Sequence, residues 1–432
     1  MSYFDEATVH ARQGRLASLL SAYGVVVVVA AGEPVPIPGG HDQTFPWVPH
    51  PDYYWLSGSR RAGGMMAFDP SEGWVSFVVP VTEAERLWDG GADEPDGRPV
   101  SDLDTWLASR SSLPQVWLGS VPEGRRTVVA EQARIQEALD SVRRIKDEAE
   151  IDLLRRATVA TFAGHLRARE VARPYVTERR VKIELEAEMF RYGADATGYG
   201  TIVGAGCRSA ILHGHPGYDV VKKGEFVLVD AGGAIAGYTA DITRTFVAGS
   251  AGDTRHVALL QLVERAMDAS IAISTSGTEW HDVHRCSAEV IAEGLVSLGI
   301  LRGDPVELAN DGAVALFFPH GVGHMLGLGV RDVGGRSVGR PAGRLCCGAR
   351  PRVDMPLQAG FVMTIEPGVY FVDALLDSPE YRDRFGGVVD WDEVQRWRGI
   401  GGVRLEDNIL IRDQGEPENL SAGIPRQLPV SG

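Results

Sequence analysis

The first part of the chain has the hydrophobic pattern of a mixed helix and strand domain. A helix is predicted where apolar residues recur at helical spacing, at Leu16, Leu19 and Leu20. Gly24 ends this segment before a run of five valines, which predicts a buried strand. Two more strands are predicted over residues 65–68 and 74–80, and a helical segment over residues 82–88. This succession predicts a separate α/β domain.

A long helical pattern follows over residues 142–170, with an apolar stripe at Ile145, Ile151, Leu154, Ala157 and Val159. We place a domain boundary just before it, which divides the chain into residues 1–140 and 141–432. Strands are then predicted over 226–230, 239–247, 361–366 and 403–411, with helices over 257–274 and 283–298. The predicted fold class is therefore α/β (α+β).

Composition narrows the kind of protein. The 432 residues are 44% hydrophobic and 23% charged, which is typical of a globular protein. A net charge of -15 argues against nucleic acid as a partner, because nucleic-acid binding needs basic patches. No signal peptide is visible, and the longest apolar run is far short of the roughly 20 residues of a membrane helix. With cysteines that read as reduced thiols, the prediction is a cytoplasmic protein without a membrane partner.

Two aspartates, Asp230 and Asp241, flank a glycine-containing turn in the segment LVDAGGAIAGYTADITRT. If the strands pair around a turn at Ile235 and Ala236, the two side chains lie opposite each other with Cβ atoms about 5 Å apart. Such like charges need a cation, and Mg, Mn, Zn or Co suits these oxygen ligands. The alternative is that both aspartates are turn or cap residues at the surface.

Other candidate ligands lie further along the chain. His320 and His324 belong to FFPHGVGHMLGLG, which is too rich in glycine for a helix and favours close approach to a ligand. A glutamate ends an apolar run in FVMTIEPG, and Arg404 shares a strand face with another in GGVRLEDN. Either glutamate could instead lie at the surface. Four carboxylates and one imidazole match a two-metal hydrolytic centre, formed by Asp230, Asp241, His324, Glu366 and Glu406.

The motifs DAG, GYTADITRT, HGVGH, TIEPG and GGVRLEDN, in this order, resemble those of the pita-bread metallopeptidases. This family includes methionine aminopeptidase, aminopeptidase P and prolidase. The resemblance covers about residues 145–432 and implies a C-terminal pita-bread catalytic domain behind a smaller, N-terminal creatinase-like α/β domain. Creatinases share the fold but lack the metal ligands, whereas all five ligand positions are filled here.

The resemblance also implies roles for these residues. Two divalent metal ions are expected, with Mn ahead of Co and Zn. Asp241 and Glu406 would bridge both ions, Asp230 would chelate one, and His324 with Glu366 would hold the other. Glu366 is also expected to carry the proton from water to the leaving imino nitrogen.

Further residues are expected at the substrate by the same resemblance. His320 would stabilise the oxyanion or the substrate carbonyl. His213, in ILHGHPG, matches a substrate-binding histidine, and Arg352 matches an arginine that binds the free carboxylate of a dipeptide in prolidases. Arg404 is expected to bind near the substrate or to order a bridging carboxylate, with a surface salt bridge as the alternative.

One position departs from the family. The chain reads VRDVG with Arg331, where prolidases and aminopeptidases P generally carry histidine. Arginine cannot act as an acid or base near neutral pH, but it can grip a carboxylate bidentately. Arg331 therefore either adds a second anchor for the substrate C-terminus or turns outwards to pair with Asp332 or another acid.

Residues 370–408 resemble the long insertion of prolidases, so the leading hypothesis is a prolidase that hydrolyses Xaa-Pro dipeptides. The alternative is an aminopeptidase P that removes the residue before proline from longer peptides. A non-catalytic scaffold is the third hypothesis. A homodimer is expected, in which Trp55, Arg60, Arg61 and Trp88 contact the partner's site, unless they serve a local core and the solvent.

Overall fold

The computed structural model describes residues 3–88, 90, 95–125, 129–249 and 252–426. Residue contacts divide the chain into two compact units, Met1–Arg143 and Arg144–Gly432. Both contain helices and strands, in agreement with the predicted fold class. Within the described ranges, no helix has both the length and the hydropathy that crossing a bilayer requires.

The first unit is built on one five-stranded sheet. Its strands are β1 (Val26–Ala30), β2 (Met65–Asp69), β3 (Gly73–Val78), β4 (Arg98–Pro99) and β5 (Gln115–Gly119). Its helices are α1 (Glu6–Leu20), α2 (Pro51–Ser57), α3 (Glu83–Trp88), α4 (Leu103–Ala108) and α5 (Val129–Arg144). The strand order is β4-β3-β2-β1-β5, with β1 and β5 parallel.

The packing of this unit explains why its first helix and first strand could be predicted from the hydrophobic pattern. Leu16 and Leu20 on α1 are buried, and all five residues of β1 are buried, as a central strand requires. Gly24, with φ at 62°, provides the left-handed turn that separates helix from strand. Leu19 is the exception, because it is 41% exposed.

The predicted single helix over 142–170 is wrong. Helix α5 ends at Arg144, and a new helix, α6 (Glu148–Val171), begins after three residues. Asp147 caps α6 by accepting the backbone N–H of Glu150, whose carboxylate accepts the N–H of Asp147 in return. This capping box fixes the break, so Ile145 leaves the predicted stripe and is 39% exposed.

The second unit alternates short strands with longer helices. Its helices are α6, α7 (Glu178–Arg191), α8 (Thr254–Ile273), α9 (Trp280–Ser297), α10 (Pro305–Asn310), α11 (Asp373–Leu376), α12 (Pro379–Arg384) and α13 (Trp391–Trp397). Short 3-10 segments cover Val100–Asp102 in the first unit and Gly206–Ala210 and Ala313–Leu316 here.

Its strands form several small sheets. They are β6 (Ala196–Thr197), β7 (Ile202–Ala205), β8 (Phe226–Ala231), β9 (Gly233–Ile235), β10 (Tyr238–Thr239), β11 (Ile242–Val247), β12 (Gly335–Arg336), β13 (Val353–Asp354), β14 (Val362–Ile365), β15 (Gly368–Tyr370), β16 (Gly402–Arg404), β17 (Asp407–Leu410) and β18 (Glu418–Asn419). One sheet has the order β11-β8-β7 and another β14-β17-β18. A bridge between Thr243 and Glu406 brings the two sheets together.

The register around Asp230 differs from the prediction. The tight turn lies at Ala236 and Gly237, whose positive φ angles of 55° and 87° suit a two-residue hairpin. Asp230 on β8 consequently pairs with Thr243 on β11, and Asp241 lies just before that strand. The two aspartates therefore approach each other diagonally, not as directly opposed residues.

Candidate active site

A cavity of about 930 Å³ lies in the second unit. Every predicted site residue lines it, namely His213, Asp230, Asp241, His320, His324, Arg331, Arg352, Glu366, Arg404 and Glu406. These residues come from parts of the chain that are nearly two hundred positions apart. The alternative of surface turn or strand-end residues is wrong for the four acidic side chains.

The acidic side chains and His324 converge at the floor of this cavity. One donor atom each from Asp241, His324 and Glu406 lies within 4.8 Å of the others. The His324 Nε2 atom is 3.4 Å from Asp241 Oδ2 and 3.7 Å from Glu366 Oε1. The loop around His324 is not helical, as its glycines indicate, and a backbone bond from Thr364 N–H to the His324 carbonyl anchors it on β14.

A set of polar residues that the sequence analysis missed holds these ligands in place. The Tyr199 hydroxyl lies 2.6 Å from Asp230 Oδ1 and also contacts Asp241. The Thr243 hydroxyl donates to Glu406 Oε2 at 2.7 Å. Asn408 clasps the backbone of Asp241, accepting its N–H and donating to its carbonyl. Asp230, Asp241 and Glu406 are thus each oriented by a partner behind them.

Arg404 is a buried cation beside the floor. Its Nη2 donates to Asp230 Oδ2 at 2.6 Å, and its Nε donates to the Thr243 hydroxyl at 3.1 Å. Its Nη1 donates to the Tyr370 hydroxyl at 3.1 Å. The surface salt bridge considered for Arg404 is wrong, because the residue is only 4% exposed and acts on the ligands from behind.

The electrostatics of the floor show an excess of negative charge. Burial raises the pKa of Glu366 to about 7 and raises the pKa of Asp230 and Glu406 above the ordinary range. Burial also opposes the charged form of His324, but Asp241 and Glu366 more than offset it and raise its pKa. Closely spaced oxygen and imidazole donors of this kind fit divalent metal ions, whose charge would offset the repulsion.

His320 has both ring nitrogens engaged within the protein. Nδ1 lies 2.9 Å from the Gly321 carbonyl and Nε2 lies 2.8 Å from the Tyr370 hydroxyl. These partners assign a neutral ring with the proton on Nδ1 and Nε2 as acceptor. Burial, aided by the charge of Arg404, lowers the pKa of His320 to about 3. In this arrangement Tyr370, another residue missed from the sequence, lies between His320 and Arg404.

The rim of the cavity is basic. His213, Arg331, Arg350 and Arg352 line it and are exposed. The Nζ atom of buried Lys146 lies 2.9 Å from Asp332, and no ion pair joins Arg331 to Asp332 or to another acid in the described part of the chain. The alternative in which Arg331 turns away to pair with an acid is therefore wrong.

The aromatic and basic residues suspected in the first unit mostly serve local packing. Trp55 is fully buried, with the guanidinium of Arg12 over its ring. Arg60 lies over the ring of Tyr54 at 5.4 Å. Arg61 binds the Glu85 carboxylate, so it is not a free cation. Trp88 differs from the other three, because it is 81% exposed.

The inserted part of the segment 370–408, residues 371–401, does not surround the substrate space. Its helices α11, α12 and α13 pack on the hydrophobic core of the second unit through Leu376, Phe385, Val394 and Trp397. None of residues 371–401 lines the cavity. The presence of this segment therefore carries no structural argument for dipeptide specificity.

Fold and site together define a class of protein, a metallopeptidase with a pita-bread catalytic domain. More narrowly, the chain belongs to metallopeptidase family M24, whose model matches residues 152–413. The family predicted from the sequence is therefore confirmed.

Curated relatives extend over nearly the whole chain. A probable Xaa-Pro aminopeptidase of Ajellomyces capsulatus is 30% identical over 443 aligned residues, which cover 93% of this chain and 91% of the relative. A probable Xaa-Pro aminopeptidase of Aspergillus niger is 33% identical over 367 aligned residues, with 81% and 76% covered.

Solved structures show a similar fold. Aminopeptidase P of Escherichia coli with the inhibitor Pro-Leu superposes with a TM-score of 0.78 at 26% identity, covering 98% of this chain and 96% of that chain. The zinc-substituted E. coli enzyme in complex with product gives a TM-score of 0.79 at the same identity and coverage. These likenesses favour the aminopeptidase alternative over the leading dipeptidase hypothesis.

Proposed function

We propose that the protein is an Xaa-Pro aminopeptidase, which removes the N-terminal residue before proline from peptides longer than two residues. The observation that carries the proposal is the similarity to proteins named Xaa-Pro aminopeptidases over 93% of the chain. The core position of residues 371–401 is consistent with it, because the resemblance of that segment to the prolidase insertion then gives no structural argument for a dipeptidase. The match of Arg352 to the carboxylate-binding arginine of prolidases was the stronger argument for a dipeptidase.

The five floor residues would hold two divalent metal ions. Both are proposed to be Mn, because most of the donors are hard carboxylate oxygens. When bound, such ions supply a water of lowered pKa and polarise the substrate carbonyl. Asp241, His324 and Glu406 support this role, because their donor atoms all lie within 4.8 Å of one another. Buried partners such as Thr243 would keep the ligands oriented without rearrangement.

Glu366 is the residue proposed to move the proton. Its carboxylate lies at the cavity wall, 3.7 Å from His324 and 3.8 Å from His320 Nδ1. A carboxylate at this wall can accept a proton at one step and give it back at another. It would pass the proton to the imino nitrogen of the leaving proline.

His320 and Tyr370 are proposed to bind the substrate carbonyl region as a pair. Because Arg404 donates to the Tyr370 hydroxyl, that hydroxyl directs its own proton to His320 Nε2. A substrate oxygen that displaces this contact would accept the Tyr370 proton, and His320 would donate to the same oxygen only after its ring proton moves from Nδ1 to Nε2. His213, exposed at the same cavity, is proposed to contact the substrate from the other side.

The test compares the dipeptide Ala-Pro with the tripeptide Ala-Pro-Ala and a longer peptide of the same beginning. We expect release of free alanine from the two longer peptides, measured by mass spectrometry, with Mn, Co or Zn added to chelated protein. Cleavage of Ala-Pro alone would contradict the proposal and restore the dipeptidase. The homodimer and the cytoplasmic location stay predictions, which light scattering and cell fractionation check.

A further inference from the structure

We propose that Cys346 and Cys347 form a redox-sensitive pair, which a hydroperoxide converts reversibly into a disulfide, and that this modification lowers peptidase activity by changing the cavity rim. The pair is separate from the metal and substrate residues described above and lies on the segment that leads into Arg350 and Arg352. The modification itself does not depend on the proposed aminopeptidase function, and only its effect on activity rests on that function.

The two thiols already lie next to each other. Cys346 Sγ is 3.9 Å from Cys347 Sγ, and the Cys346 thiol donates to the His281 carbonyl at 3.4 Å. Both cysteines are buried, whereas Cys207 is exposed and Cys286 is intermediate in exposure. Consecutive side chains in a strand point to opposite faces, so contact between two consecutive cysteines requires a turn.

A tight turn brings about this contact. The N–H of Cys346 donates to the Ala349 carbonyl, and the N–H of Ala349 donates back to the Cys346 carbonyl, both at 2.9 Å. The two central residues, Cys347 and Gly348, have φ angles of 50° and 79°. Glycine adopts such angles easily, but a cysteine with a positive φ is uncommon and strained. The chain thus accepts an unfavourable conformation at Cys347 in which the two sulfur atoms are neighbours.

Cys346 is the more acidic thiol of the pair. The Cys347 thiol donates a hydrogen bond to Cys346 Sγ, and this bond lowers the pKa of Cys346. Burial opposes the effect, and the guanidinium groups of Arg285 and Arg344 add to it. The same hydrogen bond, together with burial, raises the pKa of Cys347. Because the thiolate is the nucleophile in thiol oxidation, Cys346 is the residue that reacts first.

The oxidation has two steps. The Cys346 thiolate attacks one oxygen of hydrogen peroxide, so the O–O bond breaks, a sulfenic acid forms and hydroxide leaves, which takes up the proton that the thiol released. The Cys347 sulfur then attacks the Cys346 sulfur, forms the S–S bond and displaces the sulfenic hydroxyl, which leaves as water with the Cys347 proton. The two thiols lose two electrons and two protons, and the peroxide is reduced to two water molecules.

A disulfide at this position is readily reduced. Consecutive Cα atoms are about 3.8 Å apart, whereas most disulfides join Cα atoms roughly 4.4–6.8 Å apart. A bond between neighbouring residues is therefore strained, and strained disulfides are the labile ones that thiols reduce. The modification consequently suits a reversible response to peroxide and not a permanent cross-link.

The turn has little room to absorb the change. A disulfide shortens the distance between the two sulfur atoms from 3.9 Å to about 2 Å, which requires the backbone of the turn to move. Gly348 is packed closely against the chain behind it, because a Cβ atom placed there would lie 2.8 Å from Ala315 Cβ and 3.0 Å from Gly312 Cα. Movement on this side is blocked, so the displacement is directed along the chain towards the rim.

The rim flanks the turn on both sides. Gly343 precedes the turn and residues 350–352 follow it, and all of them line the cavity. Pro351 also packs on the histidine loop, because a Cβ atom placed on Gly321 would lie 3.1 Å from Pro351 Cα. The Gly321 carbonyl in turn lies 2.9 Å from His320 Nδ1. A change in the turn therefore reaches both the rim and the ring that is proposed to bind the substrate carbonyl.

The experiment exposes metal-loaded, full-length protein to hydrogen peroxide and removes the excess with catalase. Peptide mapping by mass spectrometry should find a bond between Cys346 and Cys347, seen as the loss of two hydrogen atoms from the peptide that contains both. We expect kcat/KM for Ala-Pro-Ala to fall by about tenfold, because a displacement of about 1 Å in a catalytic site costs up to about a hundredfold. The metal content should not change, and a phosphine reductant should restore the activity.

Variants separate this bond from other oxidation. Cys346→Ser and Cys347→Ser should each be active before treatment and keep that activity after it. In Cys347→Ser the sulfenic acid of Cys346 has no neighbouring thiol to react with, so dimedone should trap it. Cys286→Ser is the matched control, because it removes another partly buried thiol on α9, and it should respond to peroxide as the wild type does.

The outcomes separate the two proposals. If the treated wild type contains no bond between Cys346 and Cys347, the modification is overturned, whatever the variants do. If the bond forms without a change in hydrolysis, or if Cys346→Ser is inactivated as strongly as the wild type, the coupling to the cavity is overturned. If untreated protein cleaves Ala-Pro but no longer peptide, the aminopeptidase function fails instead, and the effect of the bond is then measured on Ala-Pro.

Discussion

The floor and the rim of the cavity are built in opposite ways. The floor carries acids on or beside strands, mostly buried, and three of them, Asp230, Asp241 and Glu406, have a hydrogen-bonding partner behind them. The rim carries Arg331, Arg350 and Arg352 on loops, exposed and without acidic partners in the described part of the chain. The floor is thus fixed before a ligand arrives, and the rim keeps its charges for the ligand.

This difference indicates where chemistry and where selectivity reside. Buried like charges raise each other's energy, so they stay ionised together only where a cation compensates them. Exposed cations lose little by remaining unpaired in water and can be exchanged with little effect on folding. Substitutions at the floor should therefore abolish reaction, and substitutions at the rim should change the choice of peptide.

The largest effect is expected for Asp241→Asn at the floor. The asparagine amide carries no negative charge to balance the positive charge of the metal ions. Asp241 is also close to both His324 and Glu406, so the change would affect the whole group. A loss of several kcal/mol of transition-state stabilisation corresponds to a fall in kcat/KM of about a thousandfold or more. The assay is Ala-Pro-Ala hydrolysis together with metal content by mass spectrometry.

The control for this variant is Asp152→Asn, an exposed carboxylate on α6. It should keep activity and metal content. A fully active Asp241→Asn protein with normal metal would contradict the assignment of the floor as the catalytic centre.

The burial of acids at the floor could be predicted from sequence for a simple physical reason. Asp230 and Glu366 follow apolar runs that must be buried strands, so their carboxylates needed a compensating charge. Their supports could not be predicted, because Tyr199 and Thr243 reach partners 42 and 163 positions away. No local pattern encodes such contacts.

The sequence near the start of the catalytic unit contains a signal for a helix boundary that the hydrophobic pattern alone does not show. Asp147 and Glu150 have the spacing of a capping box, which marks a helix start inside the apparently continuous pattern. The segment 371–401 illustrates the opposite case. Its resemblance to the insertion of prolidases favoured a dipeptidase, whereas residues such as Trp397 and Phe385 place it in the core.

The second largest effect concerns the stability of the metal-free floor. Burial raises the pKa of Glu366 from 4.5 to about 7 in the folded protein. A raised folded pKa stabilises the protein below the unfolded value, and this contribution is lost as the pH rises through the folded value. With chelator present, we expect Glu366 to lower the free energy of unfolding by a few kcal/mol between pH 5 and pH 8.

The measurement is urea unfolding of chelated wild-type and Glu366→Gln protein across this range. Buried histidines such as His165, whose pKa burial lowers to about 3, titrate equally in both proteins and cancel in the difference. The wild type should lose stability relative to the variant as the pH rises. A pH-independent difference would show that the carboxylate is not strained by its surroundings.

A smaller effect is expected one step behind the ligands, for Thr243→Val. This nearly isosteric change removes the hydroxyl that donates to Glu406 and accepts from Arg404. Loss of such a supporting contact should lower metal affinity or kcat/KM by about 10–100-fold. Metal titration of the chelated protein followed by the peptide assay measures both.

Thr245→Val provides the matched control on the same strand, because the Thr245 hydroxyl bonds only to the backbone of Arg404 and contacts no ligand. It should lower the free energy of unfolding by about 1 kcal/mol while metal affinity stays within about threefold. Equal losses in the two variants would mean that Thr243 acts through general stability.

The smallest effect is expected at the rim, for Arg350→Met. Arg350 is exposed and lines the cavity, and its guanidinium group lies beside Gly343, so it adds positive charge to the rim. At low salt the kcat/KM for a peptide with a carboxylate after proline, relative to that for its neutral counterpart, should fall by about twofold, and the fall should vanish at high salt, where the screening length is about 3 Å. The kcat/KM ratio of Ala-Pro-Glu-NH2 and Ala-Pro-Gln-NH2 at two salt concentrations measures this. A fall that persists unchanged at high salt would place Arg350 in direct contact with the substrate.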